Sequence, residues 1–92
     1  MATQTIAPEQ LVAGVLRLIE QLDRVLPTSE LPDLLQQQTR NALAELRAAA
    51  DRPSPDASRI RRGLESLKGI MEHAGGHLVA VGALELIKHL LS

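Results

Sequence analysis

From Pro8 onward, apolar residues recur at alternating spacings of four and three: Leu11, Val15, Leu18, Leu22 and Val25 form one stripe, with Val12, Leu16, Ile19 and Leu26 beside it. This is the period of an α-helix, and the two stripes together cover about half of its circumference, as a helix touching two neighbours requires. Arg17, Glu20 and Arg24 fall opposite, with Glu20 and Arg24 in the favourable i,i+4 order. Pro8 and Glu9 suit a first turn and Pro27 stops the pattern, so a first helix is expected over 8–26.

Thr28 and Ser29 offer N-caps, and Pro32 and Asp33 suit a first turn, which predicts a second helix over 30–50. Its stripe, Leu31, Leu35, Ala42, Leu46 and Ala49, is narrower, and its alanines allow a neighbouring backbone to approach. The segment Asp51-Arg52-Pro53-Ser54-Pro55-Asp56 is the clear break, because two prolines around a serine deny the helix and then offer a cap with proline just inside.

A third helix is expected over 55–74, on the heptad Ala57, Ile60, Leu64, Leu67, Met71 and Ala74, with Arg61, Glu65, Lys68 and Glu72 on its far side. Gly63 beside this stripe and Gly69 opposite it each cost about 1 kcal/mol against alanine. Close backbone contact and simple tolerance are the two readings of such glycines. Gly75-Gly76 either ends this helix in a left-handed cap or bends it.

The fourth helix, expected over 77–91, is apolar on most faces. Val79, Ala80, Ala83, Leu84, Ile87, Leu90 and Leu91 project to one broad side, while Leu78 and Val81 fall among His77, Glu85, Lys88 and His89. A helix apolar most of the way round must be enclosed by neighbours or shared with a partner. Leu78 and Val81 in this polar strip have two readings, a second contact surface or the singly exposed apolar residues that are common on any protein, and the first is the one expected.

Composition narrows what such a chain can do. Its 92 residues make one domain, and a domain of this size buries only about 60–65% of the surface its unfolded chain exposes. Phe, Tyr and Trp are absent, which removes the stacking platforms of single-strand binding and the usual anchors of small-molecule pockets. A net charge of −1 supplies no long-range attraction to nucleic acid or anionic membrane. No cysteine is present, so there is no disulfide framework and no thiolate chemistry. No positive leader or membrane span is read, and a cytoplasmic location is expected.

The candidate chemistry is sparse. His73 and His77 stand four apart and, with His89 and Glu72, are the weak candidates for a metal site, though glycines interrupt the pair and no His-Glu-x-x-His motif is present. A histidine near a helix end is the preferred reading. Arg59, Arg61 and Arg62 form a short basic cluster that Asp56 and Glu65 neutralise. Ser54, Ser58 and Ser66 lack any activating partner, and the glycine pair lacks the lysine of a phosphate loop. The small-residue spacing of Gly75, Val79, Gly82 and Ala83 is that of close-packed membrane helices, but charges leave too short an apolar run to span.

The segment from Arg62 through Met71, Gly75-Gly76 and Leu78 to Leu91 resembles the C-terminal pattern of small helical modules of bacterial conflict systems. These are the effector-associated or death-like adaptor domains. The likeness covers about a third of the chain and rests on leucine spacing, an Ala-Gly pair and a small-residue helix. It implies an adaptor that brings an effector to a sensor through like-with-like association.

The chain is accordingly expected to be an all-α, up-and-down bundle of three to four helices with no catalytic residues and no cofactor. Its expected role is a non-enzymatic interaction module that self-associates or docks a helical partner through Gly69, Ile70, Leu78, Val81 and Glu85. Two other classes compete with it: a structural or secretion-related subunit or chaperone, and a metal or ligand sensor built on the histidines.

Overall fold

Four helices follow one another: α1 (Pro8–Val25), α2 (Asp33–Ala50), α3 (Ala57–His73) and α4 (Leu78–Leu91), with a 3-10 turn, Leu26–Thr28, closing α1. They belong to a computed structural model that describes residues 7–74 and 77–91, and among these there is no strand. The architecture is an all-α bundle. Gly75 and Gly76, read as a helix break or a bend, lie outside the described residues; α3 and α4 on either side of them are separate helices.

The boundaries differ from the pattern where proline and local hydrogen bonds decide them. Pro27 has no N–H to continue the α-helical ladder, so the chain tightens into the 3-10 turn after Val25. Thr28 and Ser29 do not cap α2. Their hydroxyls donate backwards, to the carbonyls of Val25 (3.2 Å) and Leu26 (2.8 Å), and so close α1.

The second helix begins at Asp33 rather than Glu30, because Pro32 stands in an extended conformation and disfavours the α region for the residue before it. Leu31 nevertheless reaches the core from this linker, and its carbonyl accepts from the Gln36 side chain (3.0 Å). The third helix starts at Ala57 rather than Pro55, because Asp56 is the cap. Its carboxylate accepts from the Ser58 N–H at 2.9 Å.

Helix pairing follows from which residues meet. Gly14, early in α1, lies against Leu90 near the end of α4, whereas Leu22 and Val25 meet Val79 and Ala83. These two helices are therefore antiparallel. Likewise Leu46 and Ala49 of α2 share a groove with Gly63 and Arg59 of α3, and Val12 of α1 lies near Ala50 at the end of α2. The second helix packs on the third and the third on the fourth, and α4 returns beside α1 to close the ring.

Inside the ring, Leu11, Val15, Leu18, Ile19 and Leu22 meet Leu43 and Leu46, Ile60, Leu64, Leu67 and Met71, and Ala80, Ile87 and Leu90. Ile60, Leu64, Leu67 and Met71 are completely enclosed. Two leucines use glycine as a seat. Leu90 presses on Gly14 and Leu46 on Gly63, where an added Cβ would stand 2.8 Å from the Leu46 Cδ2. Gly69 has no such neighbour, so the close approach open to both α3 glycines occurs only at Gly63.

Several stripe positions turn out otherwise. Leu16 and Val25 are exposed, because the two neighbours of α1 leave its outer edge in water, and Leu35 is only half-buried. Thr39 is fully enclosed instead. Its hydroxyl donates to the Leu35 carbonyl (2.7 Å), which satisfies the polar atom within the helix.

Candidate interaction surface

The first two turns of α4 carry two of the large apolar residues that the fold leaves in water, Leu78 and Val81. Successive residues turn by about 100° on a helix, so Leu78, Gly82, Glu85 and His89 line one side, opposite the buried Ala80, Ala83, Ile87 and Leu90. Leu78 is 86% exposed and Val81 47%. Both sit on the outer side of a helix whose inner side is already filled, so no rotation of α4 hides them without exposing its core residues.

Between this helix and α1 runs a groove of about 360 Å³. Leu78, Val79 and Gly82 form one wall and Leu22, Val25 and Arg24 the other. Val25 is itself exposed, so the apolar surface continues from α4 onto α1. At Gly82 nothing lies within 4 Å of where a Cβ would stand. The glycine costs the helix about 1 kcal/mol against alanine and gains no contact inside the molecule in return.

The residues expected to share a surface are only partly brought together. Leu78, Val81 and Glu85 lie on the outer side of α4. Gly69 is exposed on α3, and Ile70 is half-buried against the core. Ile70 stands one heptad beyond Gly63, whose open side faces Leu46, which keeps it on the α2 side of α3. Sequence reading missed the α1 wall. Val25 continues the inward stripe in register, and only the packing of α4 shows that its flank stays open.

His77 precedes α4, and its Nδ1 accepts from the Val79 N–H at 3.3 Å while its carbonyl accepts from the Val81 N–H at 2.9 Å. It is the N-cap, in the role a serine or aspartate more often takes, and the bond needs a neutral ring with its proton on Nε2. His73 ends the preceding helix, so the pair does not share the single helical turn that i,i+4 metal ligands need. Among the described residues no three His, Cys, Asp or Glu side chains gather as a metal site.

The basic cluster divides. Arg59 and Arg62 line the groove between α2 and α3, where Glu45 joins them, while Arg61 is half-buried on another side of the helix. Among the described residues every buried side-chain nitrogen and oxygen has a hydrogen-bond partner, and no helix is long and apolar enough to cross a membrane. Compared with protein-family models, curated proteins and solved structures, the chain matches none.

Proposed function

We propose that this protein is a non-enzymatic protein–protein interaction module that works through the outer side of α4 and its groove with α1. The observation that carries the reading is the placement of Leu78, 86% exposed beside Val81 and the apolar groove, on a helix whose other side is already buried. Contiguous exposed apolar surface costs solubility and gains free energy only when a partner removes it from water. The partner best suited to an apolar groove between two helices is another helix, laid in through residues at i, i+3 and i+4 spacing.

An adaptor role in bacterial defence signalling fits this reading and is supported by the leucine and small-residue spacing of α3 and α4. The test is the double substitution Leu78→Asp and Val81→Asp. Both side chains point into water, so helicity by circular dichroism is expected to persist while association, measured by light scattering or on a helical partner, is lost. Unfolding of the variant would place these residues in the core, and unchanged association would move the docking surface elsewhere.

A further inference from the structure

We infer that the occupant of the α1/α4 groove is a second copy of the same chain, packed with its α4 antiparallel to the first across a two-fold axis. This rests on the interaction-module reading above and adds the partner and its orientation. The argument is the distribution of charge around the apolar patch. Arg24 lines the groove beside Leu78 at one end, and Glu85 stands about 10 Å further along α4 at the other.

With two patches antiparallel, each Glu85 comes to the other copy's Arg24 and to the positive N-terminal end of its α4, so both charge contacts are attractive. A parallel arrangement sets Glu85 on Glu85 and Arg24 on Arg24. Arg24 is free to take part, because its pair with Glu20 is 3.9 Å long and both side chains are more than three-quarters exposed. In this register the two-fold axis passes between Val81 and Gly82, so Gly82, where no Cβ stands in the way, lies at the closest approach of the two helices. A face with only Leu78, Val81 and Val25 as large exposed apolar residues suits a small interface, so the dimer is expected to be a weak one.

The experiment is sedimentation and light scattering over a concentration series reaching the millimolar range, with Arg24→Glu, Glu85→Arg and their equimolar mixture. The wild type is expected to dimerise with concentration, each reversal to weaken this about tenfold, and the mixture to recover it, because both cross-contacts become attractive again. Gly82→Ala provides an independent check, with a raised melting temperature and a weakened dimer expected. A wild type that stays monomeric throughout overturns the second-copy occupant. A dimer abolished by Leu78→Asp but indifferent to both charge reversals overturns the antiparallel orientation and leaves the docking face standing. A dimer that survives Leu78→Asp with Val81→Asp removes the face, and with it the functional reading.

Discussion

Leu46 rests on Gly63: its Cδ2 and Cγ lie 2.8 and 3.2 Å from the point where a Cβ would stand, and the leucine is buried on every side. Gly63→Ala therefore gains about 1 kcal/mol of helix propensity but overpacks the α2/α3 contact at a cost of about 1–3 kcal/mol. Gly69→Ala meets open space and keeps the gain alone. Thermal melts are expected to rank Gly69→Ala above the wild type and Gly63→Ala below it, with a shift of about 4–8 °C per kcal/mol for a domain of this size. A Gly63→Ala variant more stable than the wild type would mean that Leu46 moves aside freely.

His77→Ala removes the cap of α4 and is expected to cost about 1 kcal/mol in urea unfolding, within a range of about 0.5–2. His77→Asn keeps an acceptor at the same place and should return most of that loss. Equal stability of the two variants would show that the imidazole bond contributes nothing.

Asp56 does the same for α3 through the Ser58 N–H. Asp56→Ala is expected to lose about 1 kcal/mol, whereas Ser54→Ala, at an exposed position outside the helix, should change stability by less than about 0.5 kcal/mol. The comparison tests whether the cap lies at Asp56 or at the serine two residues earlier.

Arg47 on α2 holds Asp23 on α1 in an ion pair between two helices with an N–O distance of 2.7 Å. Both side chains are about half exposed, which limits the pair to about 0.2–1 kcal/mol in a double-mutant cycle. The coupling should shrink as salt is raised toward 1 M, where the screening length falls to about 3 Å. A coupling that is indifferent to salt would contradict this account.

Core and surface leucines should separate widely. Leu64→Ala opens a cavity where α3 meets the rest of the bundle and is expected to cost about 2–5 kcal/mol, a large part of the 5–15 kcal/mol or so that holds an ordinary domain together. Leu34→Ala, at a residue 68% exposed, should be near neutral. Chemical denaturation of both variants measures the difference directly.

The heptad of α3 could be read from the chain because its four enclosed residues are all large and apolar and the opposite side is charged. Helix ends were less legible. Thr28 and Ser29 have the chemistry of N-caps, yet the same hydroxyls can turn back to the preceding carbonyls, and Pro32 decides between the two by keeping the linker extended. Thr39 escaped an apolar stripe because its polarity is cancelled within its own helix, which only the Leu35 bond reveals. Of the candidate surface, Leu78 and Val81 stood out as apolar residues in a polar strip. The α1 wall did not, since the exposure of Val25 depends on where a helix more than fifty residues later comes to rest.

Met71 is completely enclosed, and the chain has no cysteine and one other methionine, at its first position. Among the described residues Met71 holds the only sulfur, and it is shielded from peroxide until the helices part. Conversion of Met71 to its sulfoxide would put a polar group at the centre of an aliphatic core, hindering reclosure. The rate at which that oxygen is taken up, followed by mass spectrometry, is a built-in clock for how often this ring of helices opens.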